Sequence, residues 1–187
     1  MDGYGGDDQR SYAERYEMSQ AAEDAVVYRL RQLGYRANFC GRRTLSEEDN
    51  RNLSKRKDGD MHWRWMPDIS VEADGVKLIY IDVKKSNPVR KNFAIEISSA
   101  EAANKLEDFY KTRIFFVCID YLRQSGELSN KGWRVLTVRK INDYGIKGRQ
   151  ISSPGNPRTD YLLIDKRFSV AFSDVFSFPG NRRPWPK

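Results

Sequence analysis

Two carboxylates and an ammonium stand at matched ends of two neighbouring apolar segments. Pro67-Asp68 opens the first segment, and Asp82-Val83-Lys84 closes the second. Asp74-Gly75 between them is a strong turn signal. The stretch from Met66 to Lys85 therefore reads as a β-hairpin that carries all three groups to one end of a sheet. Phosphodiester hydrolysis needs a positioned water, neutralised charge on the phosphoryl oxygens and a stabilised leaving oxygen. Mg²⁺ supplies all three when hard carboxylate oxygens hold it and leave waters in place, with Mn²⁺ as the expected substitute. Asp68 and Asp82 offer such oxygens, and the Val83 carbonyl a third. Lys84 shares a strand face with Asp82, where its ammonium can orient the attacking water or steady the pentavalent charge.

Convergence of these groups depends on the turn. A two-residue loop at Asp74-Gly75 sets Asp68 opposite Ile81 and turns Asp82 to the other face. A three-residue loop, Ala73-Asp74-Gly75, pairs 72 with 76 and 68 with 80, which makes Asp68 and Asp82 diagonal neighbours on one face. Gly75 suits the left-handed bulge of that second form, so the second form is expected. An Asp after a Pro is also a common turn former, and Asp-x-Lys a common surface ion pair. Asp82 differs in ending the apolar run Leu78-Ile79-Tyr80-Ile81, where an unpartnered charge is costly.

The elements that must position the hairpin follow from periodicity. Residues 1–18, rich in Gly and Asp, read as a flexible arm. Ser19 caps a helix over Gln20 to Leu33, with Val26, Val27, Leu30 and Leu33 on one face and Gly34 as its stop. Tyr35 to Cys40 is a short strand, and Gly41 to Trp65 a long charged loop with a helical turn over Ser46 to Leu53. After the hairpin come a strand over Asn92 to Ile97 and a helix from Ser98-Ser99 to Tyr110. Thr112 to Tyr121, the most hydrophobic segment, is a strand that pairs in parallel through a crossover. Trp133 to Ile141 reads as a strand, Asp143 to Arg158 as a loop, Asp160 to Ile164 as a strand and Ser169 to Phe176 as a closing helix. One domain over 19–178 is expected, with a basic tail over 179–187. Its architecture is α/β, a mixed central sheet flanked by helices with extra C-terminal strands. No glycine-rich phosphate loop or dinucleotide fingerprint occurs.

Pro-Asp, a hairpin, then Asp-x-Lys resembles the motif of the PD-(D/E)XK nuclease superfamily, which includes restriction-endonuclease-like and Holliday junction resolvase-like proteins. Asp68, Asp82 and Lys84 fall on its three motif positions. The core order α-β-β-β-α-β of that superfamily agrees with residues 19–121. Resolvase-like members also carry an acid in the first helix, and Glu23, in Glu-x-x-Val-x-x-x-Leu-x-x-Leu-Gly-Tyr, fits that place. The resemblance implies a Mg²⁺-dependent endonuclease that leaves 5′-phosphate and 3′-hydroxyl ends on branched or specific DNA. Glu23 would then join Asp68, Asp82 and Val83 as a metal ligand, and such domains often act as homodimers. A protein that keeps the fold but only binds nucleic acid, or a protein partner, is the alternative.

Charge agrees with a polyanionic partner. The 187 residues carry a net +7, yet residues 1–18 hold five acids against two arginines, a local −3 that leaves +10 on the remainder. A basic body of this kind suits DNA. Arg42, Arg43, Lys55, Arg56, Lys57, Arg64, Lys85 and Lys105 are the candidate phosphate contacts. Trp63 and Trp65, interleaved with these bases, either stack on unpaired bases or pack over a sheet edge. His62 reads as a loop residue. Cys40 and Cys118, two cysteines in strand-like segments, suit free thiols in a reducing compartment better than a disulfide, and with one histidine they cannot build a zinc site. The acidic N-terminus has no apolar core of a signal peptide, and no run of ~18–20 apolar residues is present. A cytoplasmic or nucleoid-associated, non-secreted and non-membrane protein is therefore expected.

Overall fold

Helical periodicity around Val26 and Leu30 produces the first element, which begins earlier than its expected start. The computed structural model describes residues 12–46, 48–49, 66–73, 77–86, 90–120, 132–149 and 160–177. Helix α1 spans Tyr12–Gln32, so Ser19 lies inside it rather than capping it. Ala13, Glu14, Arg15, Glu17 and Met18 are good helix formers, and their propensity extends the helix into what reads as an arm. Residues 1–11 and the tail over 179–187 lie outside the described residues.

Strands β1 (Arg36–Phe39), β2 (Ile69–Ala73), β3 (Lys77–Ser86) and β4 (Asn92–Glu96) follow, then helix α2 (Ile97–Tyr110) and strand β5 (Arg113–Asp120). After these come β6 (Arg134–Thr137), α3 (Val138–Tyr144), β7 (Ile146–Arg149), β8 (Asp160–Asp165), β9 (Val170–Ala171) and α4 (Phe172–Val175). A six-stranded sheet in the order β1-β2-β3-β5-β6-β9 forms the centre, and β4-β8-β7 forms a separate three-stranded sheet. The β3–β5 pair is parallel, as expected of strands joined through a crossover, and the other pairs are antiparallel.

Strand β5 explains the two-sided core. Phe115, Val117 and Ile119 pack toward α1, with Val26, Leu30, Ile69, Val71, Ile79 and Ile81. Ile114, Phe116 and Cys118 pack the other way, against Ala100, Ala103 and Leu106 of α2, Ile141 of α3 and Phe93, Ile95 and Ile164 of the small sheet. A strand covered on both faces must be apolar at every position, which is why Ile114 to Ile119 is continuous in sequence.

Three segments differ from the sequence reading. The strand expected over Trp133 to Ile141 ends at Thr137, whose hydroxyl accepts from Lys140 N at 3.2 Å and caps α3. Local capping there outcompetes extension of the strand. The expected loop over 143–158 contains β7, which pairs with β8 from Ile146↔Leu163 to Arg149↔Asp160. Its pattern is too short and too glycine-interrupted to announce a strand. The expected closing helix is only Phe172–Val175, preceded by the two-residue strand β9 that pairs with β6. Among the described residues, no helix is long and apolar enough to cross a membrane.

Candidate active site

The β2–β3 register decides where the acids fall. Pairs run from Ile69↔Ile81 through Val71↔Ile79 to Ala73↔Lys77. The expected pairing of 72 with 76 and 68 with 80 is therefore corrected: Glu72 faces Leu78, and Asp68 comes level with Asp82. The physical reason lies on the buried face. The observed register sets Val71 against Ile79, whereas the expected one would set Val71 against Lys77. A shift of two positions on the partner strand preserves which face each side chain takes, so convergence survives the correction. Of the expected turn Ala73-Asp74-Gly75, Ala73 instead ends β2 opposite Lys77, and residues 74–76 lie outside the described residues.

Asp68 straddles Asp82. Its N–H donates to the Ile81 carbonyl at 3.0 Å, and its Oδ2 accepts the Val83 N–H at 2.7 Å. Asp82 is 9% exposed and holds two partners: Lys84 Nζ at 2.8 Å on Oδ1 and the Ser99 hydroxyl at 2.8 Å on Oδ2. Lys84 lies over the Phe116 ring, 5.9 Å from its centroid. Glu23 enters from α1, with Arg43 Nη1 3.3 Å from its Oε2 and Arg43 Nη2 2.9 Å from Asp24 Oδ1. The Arg43 guanidinium also covers the Phe39 ring at 4.6 Å.

Electrostatics join these groups into one site. Burial, then the Asp82 and Glu23 carboxylates, hold Asp68 well above the usual carboxylate range, against the opposing pull of Lys84 and the Val83 N–H. Burial raises Glu23 to about 6, with Arg43 opposing and Asp24 and Asp82 adding. Burial alone would lower Lys84, yet Asp82 and Asp68 outweigh it and keep the ammonium protonated. The site thus gathers more negative charge than its own cations neutralise. Hard carboxylate oxygens in charge excess fit a divalent cation of the Mg²⁺ kind, which takes one or two protein carboxylates and keeps waters. Among the described residues, no cluster of three or more His, Cys, Asp or Glu forms a fuller cage.

Glu23 yields a pH prediction. Its folded pKa of about 6 lies above the ordinary 4.5, so the folded state prefers the proton and stability falls as pH rises through that window. The upward shift corresponds to about 2 kcal/mol. Glu23→Gln is expected to match wild type near the lower end and to exceed it in stability above pH 6. Urea unfolding at a series of pH values measures the difference. Glu23 also stands well inside α1, the twelfth residue from Tyr12, so a helix-terminus dipole does not account for an acid there.

Other expected contacts are distributed around this centre. Arg42 and Arg43 lie on the short 3₁₀ turn Gly41–Thr44, where Arg43 is a counter-ion of Glu23. Lys85 is half-buried on β3 and Lys105 is exposed on α2. Lys55, Arg56, Lys57 and Arg64, with His62, Trp63 and Trp65, fall outside the described residues. Sequence reasoning missed Ser99, which reads only as a helix opener, and took Glu96 as solvated, though as the neighbouring-strand acid most worth watching. Glu96 lies close enough to Lys84 to add to the field that keeps it protonated.

Backbone contacts fix the start of β2. The Cys40 thiol donates to the Pro67 carbonyl at 3.0 Å. Burial, then Asp68, Glu23 and Asp82, push that thiol up to about 12, so it stays a donor rather than a nucleophile. Gly41 has φ +59°, and a Cβ there would meet the Pro67 carbonyl oxygen at 2.7 Å. Gly41→Ala is expected to cost about 1–3 kcal/mol in urea unfolding and to displace the peptide that carries Asp68.

No family model matches this sequence, and no curated protein matches it. Among solved structures, the chain is similar to Hjc, a Holliday junction resolvase from the archaeal hyperthermophile Archaeoglobus fulgidus. The TM-score is 0.50 with 12% identity, covering 84% of this chain and 99% of that one. At such identity the likeness is one of fold, and the fold is restriction-endonuclease-like: a mixed central sheet flanked by helices.

Proposed function

We propose that this protein is a Mg²⁺-dependent DNA endonuclease that hydrolyses phosphodiester bonds in branched DNA. The carrying observation is the convergence of Asp68, Asp82 and Lys84 at the ends of β2 and β3, on a fold similar to that of a junction resolvase. Asp68 and Asp82, with the Val83 carbonyl, would hold the cation, and Glu23 would add a further acid once Arg43 yields it. The bound ion would supply Lewis-acid polarisation of the phosphoryl group and a more acidic water. Lys84, tethered through Asp82, orients the attacking water and carries positive charge to the phosphoryl oxygens.

The +10 carried by the residues after the N-terminal eighteen supports DNA as the partner. Lys85, Lys105 and Arg42, with Lys55, Arg56, Lys57 and Arg64 of the 41–65 segment, would contact phosphates. Arg43 would serve both DNA and Glu23. The reading includes one nuclease-like domain, a homodimer on DNA and a cytoplasmic or nucleoid-associated location.

Supercoiled plasmid, linear duplex and a synthetic four-way junction, each with Mg²⁺ or Mn²⁺ and with chelator, test this reading. Cleavage of the junction with metal, leaving 5′-phosphate and 3′-hydroxyl ends, is the expected result. Retardation of DNA without cleavage would assign the protein to binding alone. Neither binding nor cleavage would remove nucleic acid as the partner.

A further inference from the structure

Ser99 is 2% exposed, on the third residue of α2, and its hydroxyl crosses to Asp82 of β3 instead of satisfying its own helix. A serine near a helix start ordinarily bonds local backbone. Here its single donor is spent on Asp82 Oδ2 at 2.8 Å, while Lys84 Nζ occupies Oδ1 at the same distance. A carboxylate offers about four lone-pair sites, so two remain once both partners are seated. Its terminal torsion is broad, and in a buried setting only such contacts fix the plane of the group.

We infer that Ser99 is a positioning residue for the cation site, an inference that rests on the nuclease reading. The hydroxyl would fix the plane of the Asp82 carboxylate, and with it the oxygen that Asp82 would offer a cation. It also limits Lys84 to a single oxygen. Without it, the ammonium is the strongest neighbour of Asp82; the carboxylate turns to chelate it with both oxygens, and the site loses a cation ligand and the mobile end of Lys84 together. Partners of metal ligands that set orientation in this way contribute about 10–100-fold to metal affinity or activity.

The test uses the full chain carrying Ser99→Ala, with Ser99→Thr to restore a hydroxyl. Three quantities are measured: Mn²⁺ affinity without DNA by calorimetry, single-turnover junction cleavage at saturating DNA, and DNA affinity in chelator. Ser99→Ala is expected to lose about 10–100-fold in Mn²⁺ affinity and in cleavage rate, with DNA affinity unchanged and thermal stability lowered only by the loss of one buried hydrogen bond. Ser99→Thr is expected to keep the wild-type rate. Wild-type Mn²⁺ affinity and rate in Ser99→Ala would overturn the inference while leaving the nuclease reading intact. A loss confined to thermal stability would also overturn it, because the hydroxyl would then serve only packing. A wild-type protein that neither takes Mn²⁺ nor cuts would overturn the nuclease reading and this inference with it.

Discussion

Lys84→Ala is expected to lower single-turnover DNA cleavage by about 10²–10³-fold, the cost of removing one charge-stabilising donor from a reaction centre. Asp82→Asn is expected to lose at least as much, since it removes the charge that holds a cation while leaving Ser99 an acceptor. DNA affinity in chelator should change far less than the rate for both, because most of the proposed phosphate contacts lie elsewhere. The split is what assigns the two residues to chemistry rather than binding: uniform loss of affinity would raise the DNA concentration needed without lowering the saturated rate. The 2.8 Å contact between Lys84 Nζ and Asp82 Oδ1 makes the pair a unit, so the double variant should fall little below the worse single.

Asp68→Asn is expected to stabilise the metal-free protein at neutral pH. Burial and the facing Asp82 and Glu23 raise the folded pKa of Asp68 well above its ordinary value. The ionised form is therefore disfavoured by folding. That penalty is absent below the ordinary carboxylate range and grows as pH rises toward the folded pKa. Asparagine keeps an oxygen for the Val83 N–H and discards the charge. A gain of about 1–3 kcal/mol is expected, the usual cost of an under-compensated buried polar group. For a chain of this length each kcal/mol moves Tm by roughly 2–4 °C. Divalent metal should reverse the order: wild type gains about 4.1 kcal/mol at a thousandfold excess over its Kd, and Asp68→Asn much less. Thermal unfolding at pH 7 with chelator and with Mn²⁺ reads both halves. A less stable Asp68→Asn in chelator would mean that the ionised Asp68 stabilises the fold rather than straining it.

Legibility in the sequence followed the range of the forces involved. Alternation and apolar runs are local, so the hairpin and a very hydrophobic strand over Thr112 to Tyr121 that pairs in parallel through a crossover could be read from the sequence, while its partner β3 and its burial on both faces could not. Asp82 stood out because an unpartnered charge at the end of an apolar run is costly; Asp68 and Lys84, each also readable as a turn former or a surface ion pair, stood out only in combination with it. The hairpin register could not be read from turn chemistry alone, since the pairing sets Val71 against Ile79 rather than Lys77. Strand β7 was hidden because its partner β8 lies beyond a long intervening segment. The meetings of Ser99 with Asp82 and of Arg43 with Glu23 were hidden for a related reason. Ser99 meets Asp82 across 17 residues and Arg43 meets Glu23 across 20, and no periodicity encodes a side-chain meeting between separate elements. The start of α1 was missed because acidic and glycine-rich composition nearby masked the good helix formers from Tyr12 onward.

Cleavage of a synthetic four-way junction in a single turnover, with Mg²⁺ titrated from chelator upward, bears most directly on the function assigned to Asp68, Asp82 and Lys84. Wild type should cut only as Mg²⁺ is added, and Asp82→Asn should retard the junction in a gel without cutting it at any Mg²⁺ concentration. Cleavage that persists in chelator, or an Asp82→Asn protein as active as wild type, would contradict a metal-dependent phosphodiesterase at this site.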